Sequence, residues 1–147
     1  SPEFRDRYLG HVDALKAAGI SIDKQLQHDA INTEGSGYDA TNQLLDSGIV
    51  FDAIFTASDL IAIGAIRALK KRGVSVPEQV AVVGYDDIPV ASFANPALST
   101  IKQDTQFAGE ILVESVLKLI RGQEVSQRLI KTNLVVRSSC GANVEDN

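Results

Sequence analysis

Hydrophobic residues follow two spacings that alternate along the chain. Apolar side chains at helical intervals predict amphipathic helices over residues 4–18, 38–47, 59–72 and 105–121. Short, mostly apolar runs predict strands over residues 51–56, 80–83, 98–102 and 127–137, with a weaker strand over 25–31. This alternation indicates an α/β domain of three layers, with helices on both faces of a mainly parallel sheet.

The start and the end of the chain each allow a prediction. A doubly wound domain usually opens with a strand, whereas this chain opens with a helix. We therefore expect an upstream strand in the parent protein and interpret the chain as an incomplete fragment. Residues 34–37 are predicted as a loop before the second helix, and the last ten residues, 138–147, as a frayed tail.

Composition excludes several classes of protein. Hydrophobic residues make up 44% of the 147 positions and charged residues 22%, which is ordinary for a soluble domain. The longest apolar run, residues 60–66, is far shorter than the roughly 18 residues that a membrane span needs. The net charge of −5 lacks the basic footprint of an autonomous nucleic-acid binder. Cys140 has no second cysteine with which to form an intramolecular disulfide.

Polar clusters follow two of the predicted strands. In open parallel sheets, ligands bind beyond the carboxyl ends of the strands. Residues 56–59 follow one strand and residues 85–87 follow another. Asp86 and Asp87 could accept hydrogen bonds from ligand hydroxyls, serve as paired acid–base groups or metal ligands, or stabilise a turn. Hydroxyl recognition needs only one carboxylate aimed into the cleft, and Asp86 is the candidate for it.

Other candidate residues have competing structural interpretations. Ser58 and Asp59 both suit the N-cap of the following helix, with Asp59 favoured as the cap and Ser58 left to face the cleft. Arg7 is either a surface arginine or a planar fork of donors for hydroxyls or a carboxylate. His11 and His28 lack partners at metal-ligand spacing. The chain shows no nucleophile elbow and no cofactor fingerprint, so we expect neither catalysis nor a cofactor.

Four short segments, which follow one another along the chain, together carry a resemblance to a known family. They are residues 56–65 (TASDLIAIGA), 80–89 (VAVVGYDDIP), 95–104 (NPALSTIKQD) and 134–139 (LVVRSS). This series resembles the effector-binding domain of the lactose-repressor (LacI/GalR) family of bacterial transcription regulators. Residues 7–10 (RYLG), followed by Ala14 and Leu15, are similar to an early helix of that family.

The resemblance implies a periplasmic-binding-protein-like core in which two Rossmann-like lobes close on a small effector, often a sugar or a nucleoside. Residues 1–104 and 123–139 would form most of the C-terminal effector-binding lobe, without its opening strand. Residues 105–122 would be a helix of the other lobe, and residues 140–147 a tail. The whole protein would be a homodimer or higher oligomer in the cytoplasm. It would bind operator DNA through an absent N-terminal helix-turn-helix domain and would have no membrane contact.

The resemblance also implies ligand contacts. Arg7 matches a ligand-contacting arginine, Asp86 a sugar-contacting aspartate, and Ser58 a position that is often asparagine. Tyr38 stands next to a position where some members place an aromatic residue that stacks on the sugar. Thr105 replaces an aromatic residue of some members. The two departures from the family pattern leave the identity of the ligand open.

Contacts between subunits follow from the same resemblance. Family dimers pair through the helix over residues 60–69 and the loop over 89–95. Ile63, Phe93 and Ala94 are therefore the candidate interface residues, and ordinary core packing is the alternative, above all for Ile63. We also expect the apolar stripe of the last helix to drive self-association of the isolated chain. No specific DNA binding is expected from the chain alone.

Two other classes of protein compete with the regulator. An exported sugar-binding protein shares the fold and much of the sequence around Asp59, but Pro89 and residues 95–96 and 136–138 favour the regulator. The chain also carries no basic segment followed by an apolar stretch, so we expect no signal peptide. An α/β enzyme fragment would need a nucleophile–base pair or a cofactor motif, and the sequence offers neither.

Overall fold

The computed structural model describes residues 2–142, which form a four-stranded sheet and the helices that accompany it. The helices are α1 (Pro2–Ala17), α2 (Glu34–Asp46), α3 (Asp59–Lys71) and α4 (Thr105–Ile120). The strands are β1 (Ala53–Phe55), β2 (Ala81–Asp86), β3 (Ser99–Gln103) and β4 (Thr132–Val135). Single 3₁₀ turns lie at Lys24–Leu26, Pro89–Ser92 and Ser138–Cys140. The predicted α/β class is confirmed.

The sheet has the strand order β1-β2-β3-β4, and its first three strands run parallel. β4 pairs antiparallel with β3. In the register of the sheet, Phe55 lies opposite Val83 and Gly84 lies opposite Thr100. Because parallel strands end at the same edge, the residues that follow β1, β2 and β3 meet at one carboxyl edge. Both predicted polar clusters lie at this edge.

The core lies between α3 and the middle of the sheet. Buried side chains of α3 pack against β2 and the residues that enter β3. The buried cluster comprises Ala62, Ile66, Leu69, Val80, Val82, Ala91 and Leu98. Burying a leucine or valine side chain contributes roughly 1.5–3 kcal/mol relative to leaving it exposed. α3 is therefore held firmly on the sheet, and its N-terminus is fixed at the carboxyl edge.

Two glycines let α2 pack closely against α3. A Cβ atom at Gly37 would meet the backbone carbonyl of Ile61, and one at Gly64 would meet the carbonyl of Glu34. The two helix backbones therefore lie in direct contact. The prediction of a loop ahead of α2 was wrong, because Thr33 caps the helix and Glu34 begins it. The glycine-rich segment serves close helix packing and not loop flexibility.

The weak strand predicted over residues 25–31 is not formed. Its start makes a single 3₁₀ turn, and within the described residues no ladder hydrogen bonds join the rest to the sheet. A cavity of about 140 Å³ lies between this segment and β1, with Leu26, Ala30 and Ile54 in its lining. Paired strands lie about 5 Å apart, so the cavity separates the segment from the strand edge that it would need.

Two predictions for the C-terminal segment were wrong in part. The strand predicted over residues 127–137 is limited to β4. Ser139, assigned to a frayed tail, is fully buried. Its hydroxyl donates to the carbonyl of Val82 at 2.6 Å and accepts from the N–H of Ser99 at 2.8 Å, which ties the chain after β4 to the sheet. Residues 143–147 of the predicted tail lie outside the described residues.

α4 matches its predicted span but buries none of its residues. Its exposed apolar side chains are Phe107, Leu112, Val113, Val116, Leu117, Leu119 and Ile120. The carboxylate of Asp104 caps the helix by accepting from the N–H of Phe107 at 2.9 Å. In the described part of the chain, no helix has both the length and the apolar character that crossing a membrane requires.

Candidate functional site

Arg7 and Asp86 form an ion pair at the carboxyl edge of the sheet, which we call the edge pair. Nη2 of Arg7 lies 3.0 Å from Oδ1 of Asp86. Nη1 donates to the carbonyl of Ala57 at 2.6 Å, and Cζ lies 3.8 Å from the ring centre of Tyr85. The exposed fraction is 13% for the arginine side chain and 28% for the aspartate. A partly desolvated guanidinium is therefore held in one orientation by a hydrogen bond, an ion pair and an aromatic face.

Asp86 ends β2 in an uncommon backbone conformation. Its φ of 113° and the φ of 55° at Asp87 lie in the left-handed region that residues with side chains seldom adopt. Oδ1 of Asp86 also accepts from Nε2 of Gln103 at 3.0 Å. Among the described residues, the partners of the Asp86 carboxylate are Arg7 and Gln103, and both contact its Oδ1. The Oδ2 atom is therefore left for a further donor.

The neighbouring carboxylate, Asp87, has a different set of partners. Its Oδ1 lies 2.8 Å from Nη2 of Arg137, and its Oδ2 lies 3.8 Å from Nζ of Lys102. Nη1 of Arg137 in turn donates to the carbonyl of Leu98 at 2.8 Å. Asp87 therefore ties the turn after β2 to the residues that follow β4. Asp87 thus has the turn-stabilising role that the sequence allowed as one alternative for the two aspartates.

Ser58, and not Asp59, caps α3. The hydroxyl of Ser58 accepts from the N–H of Ile61 at 3.4 Å and donates to Oδ1 of Asn32 at 2.6 Å. The residue is 1% exposed. The favoured assignment of the cap to Asp59 was wrong, because the shorter serine reaches the free N–H while the aspartate begins the helix and is directed elsewhere.

Asp59 is fully buried behind the carboxyl edge. Its Oδ2 accepts from the N–H of Ile88 at 2.9 Å, and its Oδ1 accepts from Oγ1 of Thr100 at 2.5 Å. Burial raises the pKa of Asp59 above its ordinary value, and the negative charges of the two aspartates after β2 raise it further; the two hydrogen bonds oppose both effects. One sequence signal points to this packing: Gly84, where a Cβ atom would collide with Oδ1.

Tyr38 and Thr105 make no hydrogen bond or ring contact with the edge pair among the described residues. The ring of Tyr38 lies under Cζ of Arg67 at 4.4 Å and near Nζ of Lys71 at 5.7 Å. Arg67 is nine residues beyond Ser58 on α3, about 13 Å further along the helix axis. The structure therefore places Tyr38 away from the carboxyl edge. Thr105 is exposed at the first position of α4, directly after the edge where β3 ends.

The candidate interface residues have different exposures. Phe93 is 84% exposed at the end of the 3₁₀ turn that follows the site, and Val90 in the same turn is 46% exposed. Ile63 and Ala94 are half-buried and pack against the core. The exposed aromatic residue is available to a partner, whereas core packing accounts for most of the surface of the other two candidates.

Sequence reasoning missed two residues of the site. Gln103 lies at the end of β3, and its position next to β2 becomes visible once the strand order is known. Asn32 lies in an irregular segment with no pattern that would single it out. Together with the edge pair, these residues offer carboxylate and amide acceptors beside guanidinium donors, a set that suits ligand hydroxyls. No group of His, Cys, Asp and Glu in the described residues is arranged to hold a metal ion.

A family model for the periplasmic binding protein-like domain matches residues 1–140. The chain therefore belongs to this domain family. Its relatives confirm the resemblance to LacI-type regulators. The HTH-type transcriptional regulator CelR of Thermobifida fusca is 39% identical over 136 residues, which cover 91% of this chain and 40% of CelR. The HTH-type transcriptional regulator AscG of Escherichia coli strain K12 is 37% identical over 140 residues, which cover 95% of this chain and 42% of AscG.

Solved structures with the same fold also include LacI-type transcription regulators. A complex of the transcriptional regulator CelR with cellobiose has a TM-score of 0.84 at 39% identity, covering 90% of this chain and 41% of that one. A lac repressor dimer bound to operator and the anti-inducer ONPF has a TM-score of 0.90 at 35% identity, covering 97% of this chain and 49% of that one. The chain spans about 40% of the length of its curated relatives CelR and AscG.

Proposed function

We propose that this chain is the effector-binding and dimerisation part of a LacI-type bacterial transcription regulator, most simply a repressor. The observation that carries the proposal is the edge pair: a held arginine and a partly exposed aspartate at the carboxyl edge of a parallel sheet. Family membership supplies the context in which such an edge faces a ligand cleft. We assign the chain no catalytic role, no cofactor and a cytoplasmic location, as expected for a regulator.

The ligand would be a small hydroxylated molecule such as a sugar or a nucleoside. Oδ2 of Asp86 would accept from a ligand hydroxyl, and the guanidinium of Arg7 would hold the carboxylate and donate to a neighbouring oxygen. The named CelR complex contains a sugar, cellobiose, which supports this class. Ligand binding would favour a closed arrangement of two lobes, with a coupling to DNA binding of about 1–3 kcal/mol.

Of the other three predicted ligand contacts, we propose to keep Ser58 and Thr105 and to leave out Tyr38. Ser58 would act together with Asn32, to which its hydroxyl already donates. Thr105 is retained as an edge residue because it is exposed directly after β3. Tyr38 is not assigned a ligand contact, because Arg67 covers its ring on the α2–α3 surface.

The proposed division into two lobes comes from the resemblance to LacI-type regulators, and the surroundings of α4 and β1 support it. Residues 1–104 and 123–139 would form one lobe, and residues 105–122 would pack in the other. The absence of buried residues in α4 supports this division. The cavity beside β1 would take the opening strand of the lobe, contributed by chain outside these 147 residues.

Dimerisation and DNA binding would belong to the whole protein. Phe93, with Val90 beside it, offers an exposed apolar surface for a second copy, and Ile63 and Ala94 would support it from the core side. The lac repressor with the same fold is a dimer bound to operator, which supports the same assembly here. Operator DNA would be read by a separate helix-turn-helix domain.

The intact mass and N-terminal sequence of the parent protein, recovered from its source cells, test this proposal. We expect an additional N-terminal part that contains a helix-turn-helix domain of roughly 50–60 residues. A screen of sugars and nucleosides by thermal shift would then identify the effector. A cleaved signal peptide and no such domain would contradict the proposal and move the protein to the exported binding-protein class.

A further inference from the structure

The turn after β2 holds two consecutive left-handed residues that both carry side chains. The φ angle is 113° at Asp86 and 55° at Asp87. A residue with a Cβ atom keeps such an angle only where its surroundings hold it there. Ion pairs to Arg7 and Arg137 hold the two side chains. The N–H of Ile88, where the backbone leaves the turn, has a contact of its own.

Asp59 supplies that contact. Its Oδ2 accepts from the N–H of Ile88, the residue that directly follows the two left-handed positions, at 2.9 Å. Its Oδ1 accepts from Oγ1 of Thr100 on β3 at 2.5 Å. The carboxylate is fully buried, and Gly84 leaves space on β2 for it where a Cβ atom would collide. A buried carboxylate with both oxygens satisfied is held rigidly and transmits that rigidity to its donors.

We propose that Asp59 is a positioning residue for the candidate effector site. By binding the N–H of Ile88, it fixes the backbone after β2 and so presents the carboxylate of Asp86 to Arg7 and to a ligand. It acts through backbone geometry, since no hydrogen bond joins it to either member of the edge pair within residues 2–142. The consequence for ligand binding rests on the proposed function, whereas the hold on the turn does not.

This role requires an acceptor at position 59 and does not require its charge. In Asp59→Asn, Oδ1 can accept from Ile88 while the amide group donates to Oγ1 of Thr100, so both contacts are kept. Asp59→Ala removes both contacts. Thr100→Val removes only the contact to β3 and leaves the one to Ile88. These three variants separate the hold on the turn from the general effect of changing a buried residue.

Amide hydrogen exchange of the 147-residue chain, read by NMR, tests the proposal. The amide of Leu69 in the core of α3 serves as the reference for global opening. We expect Asp59→Ala to speed exchange at Ile88 about tenfold relative to that reference, because one hydrogen bond is lost locally. The same variant is expected to shift the side-chain resonances of Asp86 and Arg7.

The conservative variants decide between positioning and mere stabilisation. Asp59→Asn is expected to restore wild-type exchange at Ile88 and to bring the resonances of the edge pair closer to the wild type than Asp59→Ala does. Thr100→Val keeps the acceptor for Ile88 and is expected to change both less than Asp59→Ala does. Unchanged exchange at Ile88 in Asp59→Ala would overturn the proposal. So would an Asp59→Asn variant that behaves like Asp59→Ala.

A backbone substitution keeps the test decisive if Asp59→Ala does not fold. Replacing the amide of Ile88 with an ester removes the donor and leaves the carboxylate of Asp59 in place. The resonances of the edge pair are then expected to shift, and unchanged resonances would overturn the proposal. A parent regulator whose Asp86→Ala variant keeps its effector response would refute the proposed function alone, since the exchange measurements need no ligand.

Discussion

α3 and α4 are two helices with similar apolar stripes and opposite surroundings. α3 has thirteen residues and buries eight of them against the sheet and α2, whereas α4 has sixteen residues and buries none. Helical periodicity predicts both helices equally well. An apolar stripe therefore indicates that a helix face is suited to burial, and it does not indicate which surface covers that face. In this chain, the covered helix positions the candidate site, and the uncovered helix leaves its apolar stripe exposed.

A matched pair of leucine deletions gives the largest test of this contrast. Leu69→Ala removes a fully buried side chain of α3 and is expected to lower the free energy of unfolding by about 2–5 kcal/mol. Leu119→Ala in α4, at a side chain that is 61% exposed, is expected to change it by less than about 0.5 kcal/mol. Urea unfolding at protein concentrations low enough to keep the chain monomeric measures both. Equal losses would show that α4 is packed in solution.

A matched pair of glycine substitutions tests the helix backbones. A Cβ atom at Gly64 would meet the carbonyl of Glu34, so we expect Gly64→Ala to destabilise the fold by about 1–3 kcal/mol. At Gly109 in α4 nothing lies within 4 Å of the added atom. Gly109→Ala is therefore expected to stabilise the chain by roughly 0.5–1 kcal/mol through helix propensity. Thermal unfolding of the two variants should show shifts of opposite sign, and shifts of the same sign would contradict the close contact of α2 and α3.

The uncovered stripe also predicts self-association of the isolated chain with a second copy. Exposed apolar surface of this kind lowers its free energy when it is buried against a partner. Sedimentation velocity at increasing concentration is expected to show association, and Val116→Lys on the stripe is expected to reduce it. Ser75→Lys, at an exposed position outside α4, provides the control. A wild-type chain that stays monomeric at every concentration would refute this prediction.

The smallest expected effect is the pH dependence that Asp59 contributes. Because burial raises its pKa in the folded state, the folded state binds the proton more tightly than the unfolded state. That contribution to stability is present at acid pH and is lost as the pH rises through the raised pKa. The stability of the wild type relative to Asp59→Asn is therefore expected to fall as the pH rises above the ordinary value of 3.8. A relative stability that rises over this range would contradict burial as the dominant cause.

Local patterns predicted the helices and the central strands, and they failed where a contact depended on distant residues. Ser58 and Asp59 are both good caps in isolation, and the choice between them was decided by Thr100 and Ile88, which lie far along the chain. Ser139 lies in a polar stretch near the end of the sequence, and only the sheet shows that Val82 and Ser99 bind it.

The sequence likewise predicted some residues of the candidate site and not others. The polar residues after β1 and β2 were found because parallel strands end at one edge, and the resemblance to LacI-type regulators singled out Arg7 and Asp86, which the structure joins. Gln103 could not be selected without the strand order. Tyr38 was selected from a neighbouring position in the family pattern, and the path of α2 places it against Arg67. The ligand roles of these residues remain predictions.

Operator release by the whole parent regulator, compared between the wild type and Asp86→Ala, tests whether the edge pair binds the effector. Removing one charge-assisted hydrogen-bonding group is expected to weaken effector binding by about tenfold to a hundredfold. Asp86→Ala should therefore bind operator like the wild type and fail to respond to the effector at concentrations that switch the wild type. Asp52→Ala, which changes an exposed aspartate directly before β1 at the opposite edge of the sheet, serves as the matched control. An Asp86→Ala protein that responds to the effector as the wild type does would contradict the assignment of this site.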